Sequence, residues 1–146
     1  MVSPLRVVPK PNSKDKLRLI VNMRYVNQAI VVPKLRMESL SSLSELLRAQ
    51  DFMVSFDLKS GFWHIPLAPE AQQYVAFSWR GKFYCFCRLP FGLASPPWAF
   101  TKVLRQLVKH WRSLGIRLLP YLDDFLFMSP SFMGASELAA KILRDF

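Results

Sequence analysis

The chain opens with two short runs of β character. Residues 5–10 (Leu-Arg-Val-Val-Pro-Lys) read as a strand ended by proline, and residues 16–22 alternate basic and apolar side chains as a half-exposed strand does. Pro11-Asn12-Ser13-Lys14-Asp15 between them is a turn cluster, which makes the pair a basic hairpin. Residues 24–27 then lead into a loop containing Pro33. Within residues 38–49, Leu40, Leu43, Leu46 and Leu47 recur at helical spacing. Ser42 and Glu45 are placed as a capping box, with Ser39 or Glu38 as an earlier start.

The second half repeats this mixture. Residues 52–58 are a β-prone run that carries Asp57 at its end, and Gly61 lets the backbone turn sharply soon after. Residues 74–79 and 82–87 flank Arg80-Gly81 as a hairpin, and Leu89-Pro90-Phe91-Gly92-Leu93 is a constrained crossing. Ser95 as N-cap and Pro96 at the first helical position start a helix that runs through Arg112. Lys102, Arg105, Lys109 and Arg112 mark one of its sides; Phe100, Val103, Leu104, Leu107, Val108 and Trp111 mark the other. Leu118-Leu119 and Phe125-Leu126-Phe127 form a last hairpin around Tyr121-Leu122-Asp123-Asp124. Met128-Ser129-Pro130 ends it, and Ser136 caps a final helix over residues 137–146.

Composition narrows the class. With 146 residues, 51% of them hydrophobic, the chain is one domain or part of one and can build a packed core. No apolar run approaches the roughly 20 residues that span a bilayer, and the N-terminus has no apolar signal region. An intracellular protein of cytoplasm or nucleus, not secreted, is expected. Cys85 and Cys87, one residue apart, are a poor disulfide pair and a weak zinc case, so they read as reduced, half-buried strand residues. Twenty Lys and Arg against ten Asp and Glu give a net charge of +10, which favours a polyanionic partner: nucleic acid or an anionic membrane surface.

The chemistry concentrates at Asp123-Asp124. Two adjacent carboxylates between apolar strands suit a tight turn, where Asp bonds local backbone. They also suit divalent metal, given a third carboxylate from elsewhere. Asp57 is the candidate third, although an Asp at a strand end is more often a cap. His64 lies among aromatics with no partner His or Cys nearby and reads as a packing or hydrogen-bonding residue.

Taken together, the motifs resemble the fingers and palm of a reverse transcriptase of the kind carried by retrotransposons and retroviruses, gypsy-like or DIRS-type. Lys16-Leu17-Arg18 with Arg24-Tyr25-Val26-Asn27 is similar to the fingers motif. Residues 56–65 are similar to the first palm motif, residues 89–97 to the second, and Tyr121-Leu122-Asp123-Asp124 to the third. The resemblance implies an α+β fold: a polymerase palm with an antiparallel sheet backed by helices, plus partial fingers. Residues 1–50 would be partial fingers with a connecting helix, and residues 51–146 the palm with an interleaved fingers hairpin; no thumb is found.

It also implies roles. Asp57, Asp123 and Asp124 would be catalytic and would hold two Mg²⁺ ions, with Mn²⁺ as an alternative. Lys10, Lys16 and Arg18 would grip the incoming dNTP. Phe62 would be the steric gate that rejects a 2′-hydroxyl, and Phe91, Gly92 and Tyr121 would shape the nucleotide site. The partners would be an RNA or DNA template with its primer, and dNTPs, with no membrane; the resemblance leaves oligomeric state open. Without a thumb, processive synthesis is not expected, because affinity for nucleic acid sums many phosphate contacts. Two rival readings are a non-catalytic nucleic-acid-binding remnant of a mobile element and a viral RNA-dependent RNA polymerase. Phe62 and Tyr121 disfavour the latter.

Overall fold

The computed structural model describes residues 2–11 and 16–145. In chain order the elements are β1 (Val2–Ser3), β2 (Leu5–Pro9), β3 (Leu17–Val21), α1 (Arg24–Gln28), α2 (Leu40–Leu46), β4 (Phe52–Asp57), α3 (Pro69–Gln72), β5 (Ala76–Trp79), β6 (Lys82–Cys85), α4 (Pro96–Ser113), β7 (Arg117–Tyr121), β8 (Asp124–Ser129) and α5 (Phe132–Asp145). Short 3₁₀ turns cover Gly61–His64 and Gln73–Val75. The α+β reading holds. The expected turn over residues 11–15 falls mostly outside the described residues, beyond Pro11.

The chain forms two compact units, and neither is continuous in sequence. Met1–Lys34 with Ser60–Phe100 makes the first, and Leu35–Lys59 with Thr101–Phe146 the second. By contacts, residues 35–50 cluster with the second unit, and the 76–85 hairpin, which interrupts it in sequence, with the first. Ten basic residues face two acidic ones in the first unit, and ten face eight in the second, so most of the net charge sits in the first.

In the first unit β2 and β3 pair antiparallel from Leu5↔Val21 to Pro9↔Leu17, the basic hairpin expected from alternation. Beyond it, β5 pairs antiparallel with β6 and parallel with β1. Val21, Met23, Val75, Phe86 and Leu93 form the core, with Trp63 and Phe77 packed against it. Cys85 and Cys87 are free, as expected, but exposed and not half-buried, since that part of the sheet has no cover on their side. The sharp turn before the 3₁₀ segment is made at Ser60 (φ 59°) and not at Gly61. Gly61 is needed for space: it is buried, and a Cβ there would run into the Phe100 ring.

In the second unit β8 is the middle strand of an antiparallel sheet, flanked by β4 and β7. Phe125 and Phe127 alternate to one face of β8. Both meet Trp111 of α4 edge-on, at centroid distances of 5.7 and 5.4 Å. The Trp111 indole N–H donates to Asp145 at 2.8 Å. Leu118 and Ile142 complete the deepest layer. Along α4 the buried stripe is Phe100, Leu104, Val108 and Trp111, whereas Val103, expected on that side, is exposed.

Two helix ends differ from expectation. α2 stops at Leu46 because the chain turns at Gln50 (φ 63°) and the Arg48 N–H donates to the Asp51 carboxylate at 2.8 Å. α5 begins five residues before Glu137. Its cap is Ser131, whose hydroxyl accepts from the Gly134 N–H at 3.1 Å. Gly134 argues against a helix on propensity, yet it is required, since a Cβ would lie 2.6 Å from the Ser129 hydroxyl.

Candidate active site

The sheet of the second unit brings the three candidate acids to one corner. Asp57 is the last residue of β4 and stands in register opposite Asp124, the first of β8. On the other side of β8, Tyr121 is paired with Asp124. The two-residue connection, Leu122-Asp123, places the third carboxylate beside them, and the Leu58 N–H donates to the Asp123 carbonyl at 2.8 Å. The corner is thus held by backbone bonds on both sides. Leu122 closes the turn at φ 55°, a left-handed conformation that costs a branched L-residue roughly 1–2 kcal/mol.

The electrostatics follow from this crowding. Asp124 is exposed, but desolvation at the sheet edge and then repulsion from Asp123 and Asp57 push its carboxyl above the usual range. Like charges gathered without a cation are costly, so the donor set itself points to a cation. All three candidate groups are hard carboxylates with no His or Cys, the chemistry Mg²⁺ prefers. As they stand, no three acidic, His or Cys side chains among the described residues are gathered closely enough to hold a metal ion. An open set of carboxylates fits Mg²⁺, which keeps water and substrate phosphate in its shell.

A second acid is structural. Asp51 accepts two hydrogen bonds from the Arg117 guanidinium at 2.5 and 2.6 Å, and Arg117 also donates to the Leu46 carbonyl at 2.8 Å. With only 2% of its side chain exposed, Asp51 has its pKa lowered to about 2, chiefly by the Arg117 hydrogen bonds and against the cost of burial. This brace joins the loop after α2 to the start of β7.

The remaining predicted site residues lie in the first unit. Lys10 and Lys16 are exposed at the turn end of the β2–β3 hairpin, just past the Pro9↔Leu17 pair, where the Lys10 N–H donates to the Lys16 carbonyl at 2.7 Å. Arg18 is exposed on β3 opposite Val8. Phe62 packs against Phe91 and Phe100, at centroid distances of 5.2 and 5.5 Å, so the first two of these aromatics do come together. Gly92 takes φ 92°, and a Cβ there would lie 3.0 Å from the Val21 carbonyl. His64 offers its carbonyl to Arg88 at 3.0 Å.

Asn27 was quoted in a motif but given no role by sequence reasoning. Its amide donates to the Gly92 carbonyl at 2.9 Å and its oxygen accepts from the Ala94 N–H at 2.7 Å, which clamps the Phe91-Gly92 loop. Its only signal in the sequence is its place at the end of Arg24-Tyr25-Val26-Asn27, within the motif similar to the fingers. The basic side of α4 is also less open than expected: Arg105 donates to the Arg36 carbonyl at 2.6 Å, and Arg112 to Glu38 at 2.7 Å.

A corner of carboxylates on an antiparallel sheet backed by helices is a donor set of the kind that metal-assisted phosphoryl transfer uses. Residues 8–146 match the reverse transcriptase (RNA-dependent DNA polymerase) family, and the chain belongs to that family. It is 36% identical over 125 residues to the Pro-Pol polyprotein of simian foamy virus type 1, covering 85% of this chain and 10% of that one. To the Pol polyprotein of the gypsy transposon of Drosophila melanogaster it is 30% identical over 131 residues, covering 87% and 12%. The chain thus spans about a tenth of the length of these relatives. The foamy viral protease-reverse transcriptase solved with double-stranded DNA superposes with a TM-score of 0.84 at 29% identity, over 99% of this chain and 24% of that one. The same enzyme solved with an RNA/DNA hybrid gives 0.81 at 28% identity, over 99% and 19%.

Proposed function

We propose that this chain supplies the catalytic core of an RNA-directed DNA polymerase, which adds nucleotides from dNTPs to a primer 3′-hydroxyl on an RNA or DNA template. The observation that carries the reading is the register of Asp57 against Asp124, with Asp123 in the turn between β7 and β8. Asp57, Asp123 and Asp124 would hold two Mg²⁺ or Mn²⁺ ions. When bound, these ions lower the pKa of the attacking hydroxyl and neutralise charge on the transferring phosphoryl group.

The chain's own residues position and select. We read the second unit as palm and the first as carrying the fingers. Lys10, Lys16 and Arg18, exposed on one hairpin, would bind the triphosphate: Arg in bidentate fashion and Lys as a point charge. Phe62, wedged between Phe91 and Phe100, is a ring with little room to yield, which suits a gate against a ribose 2′-hydroxyl. Gly92 would let backbone approach the nucleotide closely, and Tyr121 would flank it. The template complexes of the foamy viral enzyme and the charge excess of the first unit support a nucleic-acid partner. No described helix is long and apolar enough to cross a membrane. Exposed free thiols at Cys85 and Cys87 suit a reducing intracellular setting.

The test is single-nucleotide addition to a labelled primer on RNA and on DNA templates, at saturating template-primer, with Mg²⁺ or with chelator. Addition should require the metal and fall at least about 10³-fold in Asp123→Asn, on the scale expected when a key electrostatic group is lost, while template binding by anisotropy persists. Addition unaffected by Asp123→Asn, or none by the parent chain, would sink the reading.

A further inference from the structure

Beside the acidic turn, within the second unit, lies a cavity of about 400 Å³, in the size range of small-molecule sites. Its floor is apolar, made by Met37, Leu104, Val108 and Pro120. Its rim is cationic, with Arg36, Arg105, Lys109 and Arg112 against the single acid Glu38. The wall is built and not merely apposed. Arg105 holds the Arg36 carbonyl at 2.6 Å, and Arg112 holds Glu38 at 2.7 Å and the Leu118 carbonyl at 3.0 Å. Those bonds occupy two of the four cations in part. Arg36 and Lys109 form no ion pair among the described residues.

One lining group remains unexplained by the fold. The Thr101 hydroxyl is buried and finds no hydrogen-bond partner among the described residues. Thr101 lines this same cavity. Buried polar atoms are paired in native structures with few exceptions, and an exception asks for a reason. The burial that orphans the hydroxyl also keeps it out of reach of a cavity occupant, so it is a cost of the fold and not a ligand contact.

We propose that this cavity binds a small amphiphilic anion. An aromatic body of about two rings rests on Leu104, Val108 and Pro120. A phosphate, sulfonate or carboxylate lies among the unpaired cations Arg36 and Lys109. Apolar floor and net positive rim together select this class over a neutral apolar molecule, which would leave the charges idle, and over an inorganic ion, which would leave the floor bare. Leu122 is also part of the wall. It sits in the left-handed turn position directly before Asp123, so the occupant touches the segment that carries the acids.

The probe is 1-naphthyl phosphate, titrated into the full 146-residue chain and followed by its fluorescence and by amide chemical shifts. Saturable one-to-one binding is expected, with the largest shifts at Thr101 and Leu122. Uncharged 1-naphthol should bind at least about tenfold more weakly, a difference of about 1.4 kcal/mol. Lys109→Glu should weaken the phosphate about tenfold. Thr101→Val should leave binding within about twofold while Tm stays the same or rises, since the isosteric change removes an unpaired hydroxyl that no occupant reaches. Arg80→Glu, an equal charge reversal in the other unit, should leave binding unchanged. Non-saturable binding, equal losses in Lys109→Glu and Arg80→Glu, or filling by a short oligonucleotide but not by naphthyl phosphate would overturn the proposal. The last result would mark the cavity as a seat for the nucleic-acid backbone instead.

Discussion

Asp57 and Asp124 face each other across the β4–β8 ladder, at the one end of the sheet where the β7–β8 turn adds Asp123. Burial at the sheet edge, then repulsion from Asp123 and from Asp57, raises the Asp124 carboxyl, a cost the folded state carries without a cation. The first expectation follows from it. Mg²⁺ or Mn²⁺ in the millimolar range should raise Tm, by RT ln(1 + [L]/Kd), or about 1.4 kcal/mol at tenfold over Kd. Asp124→Asn should raise Tm slightly in the absence of metal, by about 2 °C or less for an exposed group, and should abolish most of the metal effect. Thermal melts with and without metal check both. A metal shift retained in the Asp124→Asn chain would contradict the assignment.

The Asp51–Arg117 brace makes stability depend on pH in a defined window. The carboxyl titrates at about 2 when folded, against roughly 3.9 when unfolded. A depressed carboxylate contributes stability that is fully present above the unfolded value and lost as pH falls through the folded one. Wild type should therefore lose urea resistance between about pH 4 and 2. Asp51→Asn should lower Tm by several degrees at pH 7 and by much less near pH 2, because it leaves Arg117 without its partner at neutral pH. Parallel pH curves for the two proteins would count against the brace.

Gly61 is constrained by volume, not by its backbone angle. Gly61→Ala should cost about 1–3 kcal/mol through overpacking against Phe100. Phe100→Leu should lose stability alone yet recover part of that cost in the double variant. Denaturant midpoints of the four-membered cycle give the coupling, and strict additivity would show that the ring is not the obstacle.

Asn27 holds the Gly92 loop by two hydrogen bonds, to the Gly92 carbonyl and from the Ala94 amide. Asn27→Ala should destabilise by about 1–3 kcal/mol and loosen that loop. If Phe91 and Gly92 shape the nucleotide site, KM for dNTP should rise by about tenfold with a smaller change in kcat. Asn27→Asp, which keeps the acceptor for Ala94 and loses the donor to Gly92, should fall between the two. Steady-state kinetics with limiting dNTP give the answer.

Local pattern carried much of this protein. The β2–β3 hairpin, the long α4 and the acidic hairpin were legible because alternation, a Ser-Pro start and a paired-acid turn each act over a few residues. What stayed hidden depends on distant neighbours. Ser60, not the adjacent glycine, takes the left-handed angle, and only the Phe100 ring explains why Gly61 must be a glycine. The sequence starts α5 late because Ser136 is a good cap, while the cap used is Ser131, and the Ser129 hydroxyl that crowds any side chain at Gly134 lies on another element. Arg117 and Asp51 are 66 positions apart, and no spacing rule joins them. Asp57 could be matched to Asp123-Asp124 by motif, but its pairing opposite Asp124 is a matter of strand register, which the residues alone leave open.

The place of β8 in its sheet has one further consequence. It is bonded on both sides, and the same six residues that begin with Asp124 hold Phe125 and Phe127 against Trp111. The amides of its buried residues should exchange with solvent only when the whole unit opens. The acid at its head is thereby anchored to the slowest-breathing backbone of the molecule. A substitution that displaces this carboxylate by shifting β8 must first melt the core, so loss of the site and loss of the fold should register as one transition.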